Sequence, residues 1–265
     1  MPELPEVETV VRTLAPALSG AAILSVPHAR ADMVEPLGHD LAASLKGRRI
    51  ASVTRRAKRI VFTLDSAERF FVHLGMTGQL TLEPTDGPRK KHTHLVVDIA
   101  GGRQLRLVDP RRFGAIVWLG KADHANVGPE PLSLLPEQLA KILGRTKRAV
   151  KTALLDQTLL AGVGNIYADE ALHAAGIDPR RPGNSLSTAE AGRLNRALKT
   201  VLRNAIRAGG SSIRDYVDAN GKRGDFQARH RVYDREGKPC HKCRGKIIRI
   251  VLGGRSTHYC ADCQS

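Results

Sequence analysis

The chain has 265 residues, enough for two domains and a small appendage, and its 42 Lys+Arg against 26 Asp+Glu give a formal net charge of +16. Surplus charge of that size repels itself, so a polyanion is the natural partner: nucleic acid first, a membrane surface second, or else no partner at all and a merely basic surface. No run of about 18 apolar residues exists to span a bilayer, no long basic amphipathic helix or lipidation signal argues for membrane attachment, and Glu3, Glu6 and Glu8 stand where a secretion signal would carry positive charge. An intracellular protein is expected, which turns its four cysteines from disulfides toward metal.

The chain opens Met1-Pro2-Glu3-Leu4-Pro5-Glu6-Val7-Glu8. Proline is small enough for the initiator methionine to be trimmed, exposing a secondary amine beside two carboxylates. An α-amino group titrates near about 7.7–8.0, against about 10.4 for lysine, so a sizeable neutral fraction exists without burial and can attack an electrophilic carbon to form an imine. The same segment reads as a helix start. Pro5 suits a first helical position, Glu6 and Glu8 complement the positive helix end, and Val7, Val10, Val11, Leu14 and Leu18 recur at helical spacing. The two readings are compatible, the helix holding the amine in place.

Residues 22 to 119 read mostly as strands at 23–26, 59–64, 69–74, 94–99, 104–108 and 115–119, β-rich and parted by Gly, Asp or Pro turns, which predicts a β-sandwich or barrel. Between them, Gly75-Met76-Thr77-Gly78 and Asp109-Pro110-Arg111-Arg112-Phe113-Gly114 each place a bulky side chain on a turn. Exposed Met and Phe with Arg suit a wedge that unstacks base pairs; the alternative is two ordinary core residues at strand ends. The basic runs Arg55-Arg56-Ala57-Lys58-Arg59 and Arg89-Lys90-Lys91-His92 either track a phosphate backbone or are solvated surface.

Residues 121–135, with Gly128-Pro129-Glu130-Pro131 inside, read as a linker. Helices are then predicted over 136–143, 148–156, 166–175 and 187–208, the last with Ser187 and Glu190 spaced as a capping box. Leu160-Ala161-Gly162-Val163-Gly164-Asn165-Ile166-Tyr167-Ala168-Asp169-Glu170 puts two glycines before a helix, either as a phosphate cradle with Asn165 as a neutral donor and Lys151 on the preceding helix, or simply as a tight corner. Residues 213–231 are polar, basic and Gly-containing, and predict a mobile loop. Cys240-x-x-Cys243, sixteen residues, then Cys260-x-x-Cys263 is the strongest local signal: two knuckles spaced for one tetrahedral Zn2+ on a β-hairpin, the alternative being a redox dithiol or a chance spacing. Four protein ligands leave no open position, so this metal is structural. The hairpin carries Lys246, Arg249 and Arg255, a rigid cationic probe for a groove or phosphate.

Taken in order, Pro2 to Glu8, the Gly162 to Glu170 motif and the four-cysteine finger resemble the bacterial formamidopyrimidine-DNA glycosylase family along the whole chain. The resemblance implies an α+β multidomain protein: an N-terminal β-sandwich with a leading helix over 1–120, the linker at 121–135, a helix–two-turn–helix domain with a lesion-capping loop over 136–231, and a zinc finger over 232–265. It implies a glycosylase and lyase that excises oxidised purines from double-stranded DNA through a Pro2 Schiff base and cleaves the strand by β,δ-elimination. Pro2, Glu3, Lys58 and Arg255 would form the catalytic group, with Glu6 supporting. His73, His92, Asn165 and Lys151 would contact DNA, and Met76, Arg111 and Phe113 would fill the void left by the flipped nucleotide. Cys240, Cys243, Cys260 and Cys263 would hold one structural Zn2+, with no organic cofactor, and the protein would act as a monomer on oxidised or abasic DNA in the bacterial cytoplasm. The stretch Ser211 to Tyr216 resembles the loop that closes over 8-oxoguanine, and Leu4 argues the same way. Two other readings stay open: a Nei-like enzyme for oxidised pyrimidines, and a zinc-ribbon protein that binds damaged DNA without cutting it.

Overall fold

The computed structural model describes residues 1–123 and 127–265, so residues 124–126 of the expected linker lie outside it. The chain divides into two compact units, residues 1–125 with 208–225, and residues 126–207 with 226–265.

The first unit begins with helix α1 (Leu4–Leu18), whose apolar stripe Val7, Val10, Val11, Leu14 and Leu18 is buried as the spacing predicts. Strands β1 (Ile23–Ala29), β2 (Val34–Glu35), β3 (Ile50–Arg56), β4 (Arg59–Leu64), β5 (Arg69–His73), β6 (Gln79–Pro84), β7 (Thr93–Ile99), β8 (Arg103–Val108) and β9 (Ala115–Gly120) follow, with the short helix α2 (Leu41–Leu45) between β2 and β3. They form a four-stranded sheet in the order β1-β7-β8-β6 and a five-stranded sheet in the order β2-β9-β5-β4-β3. Among the described residues, only β2 joins its neighbour in parallel. Ile60, Phe62, Phe70 and Val72 of the larger sheet share one core with Leu80, Leu95, Val97 and Leu107 of the smaller, and α1 packs into the same core. Burying side chains from two sheet faces is what makes a sandwich stable.

Three strands were not predicted. Residues 50–56 end in Arg55-Arg56, the start of the basic run read over 55–59, yet β3 pairs with β4 from Ile50 to Arg56. Strand β6 shows the period-2 signal at Leu80 and Leu82 but is cut short by Pro84, and β2 is too short to carry a pattern.

The second unit contains α3 (Pro136–Leu143), α4 (Val150–Leu155), α5 (Asn165–Ala175) and α6 (Thr188–Arg207), then the hairpin of β10 (Ile247–Leu252) and β11 (Arg255–Cys260). The α6 start is the expected capping box: Ser187 N–H donates to Glu190 Oε2 at 2.8 Å, and Glu190 N–H donates back to Ser187 Oγ at 3.3 Å. The buried α6 face, Leu194, Leu198, Leu202 and Ala205, packs beside α3 and α5.

The expected helical domain over 136–231 is not one compact body. Residues 208–225 leave α6 and join the first unit, because their polar groups find partners there. Ala219 N–H donates to Thr13 Oγ1 at 3.2 Å, and Leu82 N–H donates to the Ala219 carbonyl at 2.9 Å. The segment is also cross-braced internally, with Ser212 Oγ donating to the Tyr216 carbonyl at 2.8 Å and accepting from Gly224 N–H at 2.9 Å.

Candidate active site

In the first unit the chain terminus is fixed by one carboxylate. Glu3 caps α1, and its N–H donates to Glu6 Oε2 at 2.8 Å; the other Glu6 oxygen accepts Ser211 N–H at 2.7 Å. Glu3 and Glu6 are both buried, as is Pro2, while Met1 is exposed. A Cβ at Gly210 would lie 2.8 Å from Glu6 Oε1, and Gly210 has φ +82°, so only glycine lets the backbone approach the carboxylate this closely. Tyr216 adds a third tie, donating its hydroxyl proton to the Glu6 carbonyl at 3.2 Å. Burial, then the nearby Glu6 charge, raises the Tyr216 phenol well above its ordinary range, so it stays a donor.

Lys58 sits on the β3–β4 hairpin turn, which α1 holds through Arg55: Arg55 Nε donates to Glu8 Oε2 at 2.9 Å and its Nη1 to the Ala57 carbonyl at 3.0 Å. His73, at the end of β5, accepts the Gly75 N–H on Nδ1 at 3.2 Å. Burial, then the charges of Lys58 and Arg59, lowers the His73 pKa. The ring is therefore neutral near pH 7, with its proton on Nε2 as a neutral donor.

The two bulky-tip turns meet on Asp109. Its Oδ1 accepts the Thr77 hydroxyl at 2.6 Å and Arg111 N–H at 3.3 Å, while Oδ2 accepts Gly114 N–H at 2.8 Å. The Asp109 N–H donates to the His92 carbonyl at 3.0 Å, and His94 Nε2 lies 3.0 Å from the Asp109 carbonyl. Met76 is 42% exposed and Phe113 is 53% exposed, which removes the alternative that they are core residues. The Arg111 guanidinium lies 4.5 Å from the centre of the Phe113 ring, a cation–π contact that braces both side chains. Exposed His92, with φ +64°, contributes its carbonyl to this turn.

In the second unit Asn165 starts α5 and donates through Nδ2 to the Ser256 carbonyl at 3.0 Å. Lys151, expected at the DNA surface, is fully buried instead. Its ammonium donates to the same Ser256 carbonyl at 2.6 Å and to Thr257 Oγ1 at 2.9 Å, and pairs with Asp169 Oδ1 at 2.7 Å. Asp169 Oδ2 accepts His258 N–H at 2.9 Å. This polar clasp binds β11 to α4 and α5, and Ser256, which Lys151 contacts, directly follows the exposed Arg255. Glu170 acts in parallel. Its carboxylate accepts the N–H groups of Arg231, Val232 and Tyr233 at 2.9–3.0 Å. Burial outweighs those donors and raises the Glu170 pKa.

The four cysteine sulfurs lie within 4.8 Å of one another, with Cys240–Cys263 at 3.9 Å and Cys243–Cys260 at 3.5 Å. Zn–S bonds of about 2.3 Å at tetrahedral angles require S···S separations of about 3.8 Å, so the donor set fits Zn2+. Lys242 N–H and His173 Nε2 each lie 3.4 Å from Cys240 Sγ, contacts suited to a thiolate.

Sequence reasoning quoted Asp109, Asp169 and Glu170 without giving them roles. Asp109-Pro110 is a turn-initiating pair and could have been read as one; the backbone N–H groups that Asp169 and Glu170 accept are 61 to 89 residues away and leave no local trace.

Three family models match successive parts of the chain. Residues 1–116 match the formamidopyrimidine-DNA glycosylase N-terminal domain, 127–217 match the H2TH domain of the same glycosylase, and 237–265 match a zinc finger found in FPG and IleRS. The chain is 46% identical to a formamidopyrimidine-DNA glycosylase of Beijerinckia indica and 44% identical to one of Laribacter hongkongensis, with all of each chain covered. Among solved structures it is similar to Lactococcus lactis Fpg in complex with DNA containing an abasic site, at 36% identity, TM-score 0.92 and 99% of both chains. It is also similar to MutM (Fpg) of Thermus thermophilus, at 42% identity and TM-score 0.89, over 99% of this chain and 98% of that one.

Proposed function

Because the chain belongs to the formamidopyrimidine-DNA glycosylase family, we propose that it is a bifunctional glycosylase and abasic-site lyase that removes oxidised purines from duplex DNA through an imine on Pro2. The observation that carries this reading is the terminus held by Glu6: a rigid helix end, an adjacent buried carboxylate on Glu3, and an exposed Met1 ahead of Pro2.

Once Met1 is removed, the Pro2 nitrogen lone pair attacks C1′ of the damaged nucleoside and the bond from C1′ to the base breaks. Glu3 protonates the sugar ring oxygen, the ring opens, and a Schiff base remains. The cationic imine draws electrons from C2′, so a proton leaves there and the C3′–O bond breaks; a second elimination breaks the C5′–O bond. Water then hydrolyses the conjugate and frees Pro2. Nucleotide extrusion precedes this, because C1′ is inaccessible inside the stack. Met76, Arg111 and Phe113, exposed and braced on Asp109, are built to fill the resulting gap. Lys58, neutral His73, Asn165 and Arg255 supply donors for the flanking phosphates. The four cysteines would hold a Zn2+ that stiffens the hairpin carrying Arg255, a structural rather than a catalytic contribution.

The loop from Ser211 to Tyr216 supports the preference for oxidised purines, since it is tied to Glu6 beside the terminus. That preference accords with the similar proteins, which are named for formamidopyrimidine; an L. lactis Fpg also appears in complex with DNA containing Fapy-dG. The proposal includes monomeric action on lesion-bearing or abasic duplexes.

Borohydride trapping on an abasic duplex, with intact mass to confirm loss of Met1, tests the mechanism. Mature protein becomes covalently attached to DNA, and Pro2→Gly is badly impaired. Mature protein that cuts but cannot be trapped overturns the imine; mature protein that binds but does neither leaves a binding-only protein.

A further inference from the structure

Helix α6 carries an unbalanced stripe of positive charge. Arg193, Arg196, Lys199, Arg203 and Arg207 fall at successive spacings of three, three, four and four residues, which places them on one side of the helix. Lys199 is half-buried and the other four are exposed. The opposite side is occupied, since Leu194, Leu198, Leu202 and Ala205 are buried. The only acidic residue within α6 is Glu190, at its first turn, and Arg181 already holds it with a 2.6 Å contact. It lies 4.0 Å from Arg193 and reaches no further along the stripe.

An ordinary solvated helix face mixes charge signs, because like charges three or four residues apart destabilise a helix by about 0.2–0.5 kcal/mol per pair. Four such pairs in succession work against the helix, and a polyanion laid along the stripe relieves them. We propose that this face is a second nucleic-acid contact, which takes the sugar–phosphate backbone of a DNA duplex through charge alone. The spacing suits it. The stripe runs about 21 Å along the helix axis, and one strand of a duplex presents about six phosphates over that length. A membrane surface fits less well: α6 is a long, basic, amphipathic helix of the kind not recognised from the sequence, but its apolar side is packed inside the protein and cannot enter a bilayer. The proposal rests on the DNA-repair reading and extends it, since the contact needs no lesion, base or catalytic residue. Its use would be to hold long DNA while lesions are sought.

The test uses the full-length, zinc-loaded protein and undamaged duplexes of about 60 base pairs. The triple variant Arg196→Gln/Lys199→Gln/Arg203→Gln should bind at least tenfold more weakly at low salt, with a slope of log affinity against log salt shallower by about 2 to 3. Removing the like-charge pairs should also leave its melting temperature unchanged or raised, which separates lost binding from lost folding. The variant Arg196→Lys/Arg203→Lys should retain parental affinity. Unchanged affinity and slope in the triple variant overturn the proposal, as does a defect seen only on anionic phosphatidylserine vesicles. Failure of the imine mechanism would show instead in trapping of the parent protein, a different assay.

Discussion

Lys151 and Asp169 form an ion pair of 2.7 Å in which neither side chain is accessible to solvent. Each also hydrogen-bonds to β11, Lys151 at Ser256 and Thr257 and Asp169 at His258, so the pair is a clamp on the strand that begins with Arg255.

Breaking one member strands the other charge. Asp169→Leu or Lys151→Met alone should cost about 3–5 kcal/mol, and the double variant should recover much of that. Because the double variant still lacks the tethers to β11, its affinity for an abasic duplex should remain well below the parent's. Denaturant midpoints and binding isotherms on the same proteins distinguish the two effects. Recovery of both together would reduce the pair to a stability feature.

Glu6 presents both oxygens to N–H donors, one at the terminus and one in the 208–225 segment. Glu6→Gln sets an amide NH2 against one of those donors, at a cost of about 1–3 kcal/mol. Excision of an oxidised purine should fall more than cleavage of a preformed abasic site, which has no base for the segment to cover. Single-turnover rates on both substrates measure it, and equal losses would separate Glu6 from base recognition.

Asp109 accepts from Thr77, Arg111 and Gly114 and thereby aligns the turns bearing Met76 and Phe113. Asp109→Ala leaves those donors without their shared acceptor. The variant should bind undamaged DNA within a few-fold of the parent but extrude a lesion more slowly, as followed by a fluorescent base analogue opposite or beside the site.

Replacing Cys243 by serine, or chelating the metal, should lower DNA affinity at least tenfold while the first unit keeps its melting transition, since its core contains no residue of the finger. Loss of both transitions together would contradict that independence.

His230 packs against Phe226 and Tyr233. Burial lowers its pKa to about 4, with Asp234 and a hydrogen bond at Tyr233 opposing the shift and Arg235 adding to it. The folded state therefore prefers the neutral ring. Its contribution is complete above pH 6.5 and is lost as the pH falls toward 4, so acidification over that window destabilises the second unit, by up to about 3 kcal/mol. His230→Gln should flatten stability between pH 6.5 and 4; an unchanged profile assigns the acid sensitivity elsewhere.

Sequence spacing was enough wherever the physics is local. The α1 stripe, the Ser187–Glu190 box and the paired Cys-x-x-Cys knuckles are all set by geometry spanning three or four residues, and all three are present in the structure. The sandwich was legible from its strands, while β2, β3 and β6 were missed because a strand's pairing depends on its neighbours more than on its own residues. The turns bearing Met76 and Phe113 were found from their glycines, but their exposure was undecided until Asp109 tied them together.

The amino-acid order alone thus determined the family, the order of the matched domains, the candidate metal ligands and the candidate nucleophile, because each is written in contiguous or closely spaced residues. Only the tertiary structure decided that Lys151 is a buried brace, that residues 208–225 belong with the first unit, and that Glu6 meets Ser211 across 205 positions of sequence. Those outcomes depend on which distant donor can satisfy a buried carboxylate or ammonium, and a charge removed from water takes whichever partner the fold brings within reach.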